Sequence, residues 1–565
     1  MVNDTGDRPY FHYAISQLSD AYENAATDDI SRNVIRELEH RQSASARRLL
    51  SDIRSGIVKR QGTPSKPINQ PNRKENTSKG VGEIAFRQPS NSGQLKLTQE
   101  QSHAVTLFQT RQNVRINAFA GTGKTTTLQA MAESRKDRGI YLAFNRAIAD
   151  NAGNKFPRNV RCQTVHSLAF AFARGQLKRE DKLTDTVNCN LILRALQIQP
   201  YEFTDIQFNK GQIAAMVANV LKQFFHSGDY DITSQHFQSS GILSFINKDE
   251  LGTFVSSIIE HARTLWLRMI TPSDPLPLGH DGYLKYWALC RPKIEADFIL
   301  LDEAQDTNPV VLEVLKQQSS QVVFVGDRYQ QIYEWRGAIN AMESANATQN
   351  AYLTESFRFG PNIAAVANRL LARLQESRTI IGVGRSVDSQ RPSKAIISRT
   401  NAALVDSLIH QLASNERPYL EGGTSDLKRL LYGVQQLMMN KPSDLPELFG
   451  FRDWKSFVAF ANSDQGIEYR TLVRLIGRYS IQKLLEAIDR SEPSETRCTV
   501  TLSTTHRAKG REWDDVTLAE DFKRPDKDVF GSELSIPQEE LRICYVAVTR
   551  ARQKLRIPES IENWI

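Results

Sequence analysis

The chain has 565 residues, 40% hydrophobic and 24% charged, ordinary values for folded protein that exclude a mostly disordered or fibrous polymer. At roughly 150 residues per domain the length suggests about four domains and argues against a single small binding module. Lys plus Arg number 72 against 64 Asp plus Glu, and this net charge of +8 permits a nucleic-acid partner without requiring one.

The first residues, Met1-Val-Asn-Asp-Thr-Gly-Asp7, carry acids where a secretion signal carries bases and an apolar core. No apolar run approaches the roughly 18 residues of a membrane span. Cys162, Cys189, Cys290, Cys498 and Cys544 lie far apart without a Cys-x-x-Cys pair, which removes the basis for a zinc ribbon or an iron–sulfur cluster. The expectation is a cytoplasmic or nucleoid-associated protein with reduced thiols and no membrane partner.

In chain order, Ile30, Val34, Ile35, Leu38, Leu49, Leu50 and Ile53 recur at helical spacing and predict a short helical unit over 1–60. Residues 61–96 turn to Pro, Gly, Ser and Asn with Lys66, Arg73, Lys74 and Lys79, a flexible basic linker read first as a solvated tether and second as a nucleic-acid-binding arm. Beyond Leu97 the apolar runs Val114–Asn117, Ile140–Phe144, Phe298–Leu301 and Val322–Val325 are each followed by a polar loop and a helical stretch. That pattern predicts buried strands of a parallel sheet covered by helices, an α/β fold. The stripes Ile213, Met216, Val217, Val220, Leu221, Phe224 and Leu427, Leu430, Leu431, Val434, Leu437, Met438 predict two helical insertions.

The chemistry begins at Ala118-Phe-Ala-Gly-Thr-Gly-Lys-Thr125, between a predicted strand and a predicted helix. Glycines there let backbone N–H groups curl around phosphates, Lys124 adds a charge and Thr125 a hydroxyl for magnesium. Ala118, Phe119, Ala120, Gly121, Thr122, Gly123, Lys124, Thr125 and Thr126 are the candidate ATP-binding residues, with Ala118 where the general pattern has glycine. Asp302-Glu303 follows the strand Phe298–Leu301, where α/β ligand sites form. Asp302 can hold Mg2+ beside Thr125, and Glu303 can orient or deprotonate an attacking water. Together they imply hydrolysis of a nucleoside triphosphate.

Three longer strings identify the hydrolase class: Val325-Gly-Asp-Arg-Tyr-Gln-Gln-Ile-Tyr-Glu-Trp-Arg-Gly-Ala338, Thr504-Thr-His-Arg-Ala-Lys-Gly-Arg-Glu-Trp513 and Cys544-Tyr-Val-Ala-Val-Thr-Arg-Ala551. With Leu97-Thr-Gln-Glu-Gln101, they resemble the superfamily 1 group A helicases of the UvrD and Rep type, in order and spacing from Leu97 to Leu555. Tyr352-Leu-Thr-Glu-Ser-Phe-Arg-Phe-Gly360, His280-Asp-Gly-Tyr-Leu-Lys285 and Gln330-Gln-Ile-Tyr333 are most similar to the helicase portion of the F-box DNA helicases. The first 95 residues show no Leu-Pro-led F-box pattern, so no ubiquitin-ligase role is carried over.

The resemblance implies two RecA-like P-loop motor domains sandwiching ATP. They would be 1A (97–168 and 292–354) with helical insertion 1B (169–291), and 2A (355–423 and 497–565) with a small helical insertion 2B (424–496). It implies that Gln101 reads the adenine edge, Phe357 stacks on the base and Glu512 contacts the ribose. Gln330 would sense the γ-phosphate, while Arg358 and Arg550 act as arginine fingers. Phe144, Asn145, His166, Tyr333, Trp335, Arg336, Arg399, Asn401 and His506 would line a single-stranded DNA track, where stacking on aromatics ignores base sequence. Phe144 and Tyr333 read equally well as core aromatics.

The implied activity is that of an ATP-dependent 3′–5′ single-stranded DNA translocase and helicase in DNA repair or recombination control. Its partners would be single-stranded and 3′-tailed duplex DNA, with a protein partner through the N-terminal unit. A translocase that strips proteins from DNA with little unwinding, and a nucleotide-switched recruitment subunit, stay open as alternatives. The chain stops about ten residues after its last motif, and DNA cleavage is not expected.

Overall fold

The computed structural model describes residues 96–565 apart from 185–186, 204–206, 239–247, 333–340, 345–346, 385–392, parts of 442–452, 463–468, 523–534 and 563–564, together with 22, 34, 35, 38, 50 and 53. The chain divides into two compact units, Met1–Ser92 and Gly93–Ile565. In the first, Val34, Leu38 and Ile53 are helical and buried, on the apolar stripe that the spacing predicts. The predicted linker lies outside the described residues up to position 95. No helix among the described residues is long and apolar enough to cross a membrane.

The second unit is built on two parallel sheets. The strands are β1 (Val114–Ala118), β2 (Gly139–Ala143), β3 (Val160–Thr164), β4 (Tyr201–Glu202), β5 (Gln207–Phe208), β6 (Phe298–Leu301), β7 (Gln321–Gly326) and β8 (Gln349–Leu353), then β9 (Glu355–Ser356), β10 (Ile381–Gly382), β11 (Lys394–Ser398), β12 (Pro418–Leu420), β13 (Val500–Thr504), β14 (Trp513–Leu518) and β15 (Ala551–Arg556). The first sheet has the order β3-β2-β6-β7-β1-β8 and the second β12-β13-β11-β14-β15, every pairing parallel. This is the predicted α/β class. β2, β6 and β7 are buried at every residue, as strands covered on both faces must be.

Each insertion packs on one face of its parent sheet. Ile140, Leu142, Ile299, Leu301, Val322 and Phe324 of the first sheet share one cluster with Ile213, Val217, Val220, Leu221 and Phe224 from the helix Lys210–His226, and with Trp266 and Trp287. Burying such a side chain stabilises by roughly 1.5–3 kcal/mol, so this stripe anchors the insertion to the sheet. The helix Val165–Leu177 itself crosses the 168/169 division. In the second sheet, Leu420, Val500 and Leu502 share a cluster with Val434, Leu475 and Leu484. A third cluster joins the two sheets: Phe119, Ala120, Tyr329 and Ile332 pack with Tyr545, Val546 and Phe359.

Four loops of the first sheet that carry motifs leave the C-terminal end of a strand: the phosphate loop after β1, Phe144 after β2, Glu303 after β6 and Asp327 after β7. In an open parallel sheet this edge is where ligands bind.

Candidate nucleotide-binding cleft and DNA track

Beyond β1 the chain turns through Gly121 (φ +76°) and Gly123 (φ +78°) into the helix Lys124–Glu133. Glycine takes this left-handed conformation without steric cost, and a Cβ on Gly121 would also lie 2.5 Å from Arg358 Cβ and 2.6 Å from Ser356 Oγ. Thr122 Oγ1 donates to Phe119 O at 2.9 Å and closes the loop. Gly123 leaves the helix N-terminus without a side-chain cap, so its backbone N–H groups remain for an anion. Ala118 is the last residue of β1, paired with Leu353, and an extended strand residue has no need of glycine.

This loop forms one wall of a cleft of about 510 Å3, with Lys124, Thr125, Thr126 and Glu303 on one side and Arg358, Lys509, Glu512 and Arg550 on the other. Lys124 Nζ donates to Glu303 Oε2 at 2.9 Å. Burial pushes the Glu303 carboxyl up, but Lys124, then Lys509, then the Gln305 hydrogen bond pull it well below the usual carboxylate range. Asp302 sits behind it: Oδ2 accepts from the Tyr141 hydroxyl at 2.7 Å and Oδ1 from the Glu303 N–H at 2.9 Å.

Gln101 is placed by a capping box: Thr98 Oγ1 accepts from the Gln101 N–H, and Gln101 Oε1 from the Thr98 N–H. Its Nε2 donates to Thr122 O at 3.2 Å. The Phe357 ring, half exposed, lies 3.8 Å from where a Gly123 Cβ would stand, with Gln101 Nε2 on the same spot at 2.8 Å. Amide, ring and phosphate loop therefore meet.

From the C-terminal half, Arg358 Nε donates to Glu512 Oε2 at 2.7 Å and Nη1 to Thr549 O at 3.0 Å. Arg550, buried, donates from Nη2 to Gln330 Oε1 at 3.2 Å, across the joint between the sheets. Burial, and next the nearby Arg358, push Arg550 down to about 9. Crowded cations lining a cleft are a functional-site signature.

Four residues at this joint escaped the sequence reading. Lys509 Nζ donates to Asp306 Oδ1 at 2.7 Å and to Gln330 O, and burial, only partly offset by Lys509, pushes the Asp306 carboxyl up to about 6. The Tyr545 hydroxyl donates to Asp327 Oδ2 at 3.0 Å and accepts from the Ala120 N–H at 3.4 Å. Lys509, Asp327 and Tyr545 all stand inside the quoted strings, so the signal was present. Their partners lie some 200 residues away, and no local pattern reports that.

Of the expected DNA contacts, Tyr333, Trp335 and Arg336 lie outside the described residues. Phe144 is 55% exposed, which answers the core alternative for it, and with Asn145 it lines the same cleft as Lys124. Asn145 Oδ1 accepts from the Ile148 N–H and caps the helix Arg146–Gly153. His166 Nε2 stands 3.5 Å from Asp281, which is shared with His226 at 3.2 Å. Arg399 grips Glu540 with Nε at 2.9 Å and Nη2 at 2.8 Å, so its fork serves a carboxylate of the protein. Asn401 is exposed at the start of its helix, and His506 Nε2 donates to Ile332 O at 3.0 Å across the joint.

Residues 101–336 match the AAA domain and residues 436–560 the UvrD-like helicase C-terminal domain. The F-box DNA helicase 1 of Gallus gallus is 31% identical over 524 residues, covering 84% of this chain and 50% of the relative. The F-box DNA helicase protein 1 of Schizosaccharomyces pombe is 30% identical over 531 residues, covering 85% and 59%. A probable DNA helicase of Mycoplasma pneumoniae is 27% identical over 502 residues, covering 83% and 84%. The chain thus spans between half and three fifths of the two F-box relatives' length. Both matched domains flank the cleft and carry most of its residues, and the chain is homologous over most of its length to the F-box DNA helicases.

Proposed function

We propose that this chain is an ATP-dependent DNA helicase of the UvrD/PcrA type that moves 3′–5′ on single-stranded DNA and opens 3′-tailed duplexes, in DNA repair or recombination control, in the cytoplasm or at the nucleoid. The division into 1A, 1B, 2A and 2B set out above belongs to this reading. The observation that supports it is the bond from Arg550 to Gln330 beside the pair Lys124 and Glu303, with side chains carried by both sheets lining one cleft.

In this reading Gln101 and Phe357 hold the adenine, Glu512 the ribose, and the N–H groups of Gly121–Thr126 the phosphates. Glu303 holds the attacking water and receives its proton. Arg358 and Arg550 neutralise charge on the transferred phosphoryl group, a contribution of about 10³–10⁵ in rate for arginine fingers. Thr125, exposed to the cleft, and Asp302 are the hard oxygen donors that Mg2+ favours, and this ion usually takes only one or two protein oxygens beside waters and phosphates, so the donor set fits. Bound there, the ion offsets charge on the phosphate oxygens. Opening and closing of the joint would step the protein along a strand held by Phe144, Asn145, His166, Tyr333, Trp335, Arg336, Arg399, Asn401 and His506.

The test is ATP hydrolysis with and without single-stranded DNA, and displacement of a strand from 3′-tailed and 5′-tailed duplexes. Large stimulation by DNA and opening of the 3′-tailed substrate alone are expected, with both lost in Glu303→Gln. Hydrolysis indifferent to DNA refutes the motor reading, and opening of the 5′-tailed substrate refutes the polarity.

A further inference from the structure

After β6 the chain turns at Glu303, whose backbone stands at φ +50°, ψ +43°, a left-handed conformation that costs a non-glycine residue about 1–2 kcal/mol. The short turn Ala304–Asp306 follows. Gln305 within it is fully buried and bonds in two directions. Its Nε2 donates to Glu303 Oε2 at 2.6 Å and, more weakly, to Asp306 Oδ2 at 3.2 Å, and its Oε1 accepts from the Asp327 backbone N–H at 3.1 Å.

β7 has been shaped around this amide. A Cβ on Gly326 would lie 2.2 Å from Gln305 Oε1, 3.1 Å from Gln305 N and 3.2 Å from Ala304 N. Only glycine lets the end of β7 come this close, so Gly326 in the Val-Gly-Asp string is explained by close approach to Gln305.

The oxygen that Gln305 holds is the one that Lys124 also holds, at 2.9 Å. A phosphate in the loop draws Lys124 toward itself and takes that donor from Glu303. Gln305 Nε2 is shared only with Asp306 Oδ2, at the longer distance of 3.2 Å, and a phosphate in the loop does not draw it away.

We propose that Gln305 is a positioning residue for hydrolysis: it fastens the Glu303 carboxylate to the end of β7, so that the carboxylate keeps its aim on water when Lys124 turns to the phosphates. This rests on the reading of Glu303 as the group that handles the water. Gln305 touches neither nucleotide nor water; it acts through Glu303. The far end of its bond is Asp327, whose Oδ2 also accepts from Gln330 Nε2 at 2.8 Å, so the strand end that steadies Glu303 also carries the residue bonded to Arg550.

The test uses Gln305→Met, an unbranched replacement that removes all three side-chain bonds while filling the space. The kcat of DNA-stimulated hydrolysis is expected to fall about 10–100-fold, the order expected when a catalytic group is misplaced by about 1 Å, while the KM for ATP and the affinity for single-stranded DNA stay within about twofold. Gly326→Ala, which keeps Gln305 but forces its amide aside, should reproduce the kcat loss and serves alone if Gln305→Met does not fold. In a Glu303→Gln background, Gln305→Met should lower the residual single-turnover rate no further, because its effect passes through the carboxylate. An unchanged kcat, a loss confined to KM, or a second full drop in the Glu303→Gln background overturns the proposal. If the unsubstituted chain shows no DNA-stimulated hydrolysis, the underlying reading fails instead, and the two failures are distinct.

Discussion

Glu303→Gln should bind nucleotide more tightly than the unsubstituted chain even as it stops turnover. Lys124 is bonded to Glu303 at 2.9 Å with side-chain exposures of 14% and 29%, so a phosphate must win the ammonium from a carboxylate in a partly shielded site. A hydrogen bond to a charged group contributes about 1.5–3 kcal/mol and a neutral one about 0.5–1.5 kcal/mol. Replacing carboxylate by amide therefore lowers the cost of freeing Lys124 by about 1–1.5 kcal/mol, roughly 5–10-fold in Kd. Removing a negative charge beside a triphosphate acts in the same direction, and a double-mutant cycle separates the two effects. The assay is titration with a fluorescent, non-hydrolysable ATP analogue without DNA, in Glu303→Gln, Lys124→Ala and the double variant. The gain from Glu303→Gln should be about fivefold larger with Lys124 present than with alanine there. Equal gains in the two backgrounds would refute the exchange of partners.

Phe357→Ala should raise the KM for ATP about 3–10-fold, the worth of about 0.5–1.5 kcal/mol of aromatic contact, and leave kcat nearly unchanged; an unaltered KM would remove Phe357 from the base site. Tyr545→Phe strips the hydroxyl that links Asp327 to the Ala120 N–H, a loss of about 1–3 kcal/mol that should appear as at least a fivefold drop in kcat/KM, and a change under twofold contradicts it. A pH effect is expected in the first insertion. His236 Nδ1 accepts from the Thr233 N–H at 3.0 Å, which needs the neutral ring, and burial, foremost, pushes the imidazole below its ordinary value. The unfolded chain then takes up a proton that the folded chain refuses, so this stability is complete above about pH 6.5 and is lost as pH falls below it. Thermal unfolding followed by tryptophan fluorescence, with Trp266 and His236 each 5.5 Å from the Phe224 ring, should show a steeper loss between about pH 7.5 and about 5.5 for the unsubstituted chain than for His236→Gln; equal slopes would reject it.

What could be read from the residues alone follows a physical division. β2, β6 and β7 are buried throughout, so they stand out as apolar runs. The edge strands β3 and β8 mix buried with exposed positions, and Val160-Arg-Cys-Gln-Thr164 or Gln349-Asn-Ala-Tyr-Leu353 carries no such run. The phosphate loop and the acid pair are legible because their chemistry needs neighbouring residues. Helical spacing in Ile213–Phe224 reveals an apolar face but not what it covers, which is why the insertions read as separate units although each shares a core with its sheet. Gln305 shows nothing to a local reading: its meaning comes from Gly326, on another strand, pressing against it.

The same distances separate the cations of the cleft into two kinds. Lys509 and Arg550 already reach across the joint, to Asp306 and to Gln330. Arg358 is held by Glu512 and Thr549 within its own half of the chain. A phosphate entering the loop therefore finds two of the three cations of the C-terminal half tied to the first sheet, and among those three needs to pull only Arg358 from its acid. Arg358 Cβ already lies so close to Gly121 that a methyl group there would collide with it, so that exchange asks for a side-chain rotation at a joint already packed by Phe119, Tyr329 and Tyr545. The arrangement favours a motor whose two sheets stay in contact through the cycle and shift by small amounts, because parting them would break the buried bonds of Tyr545 and Arg550 at once.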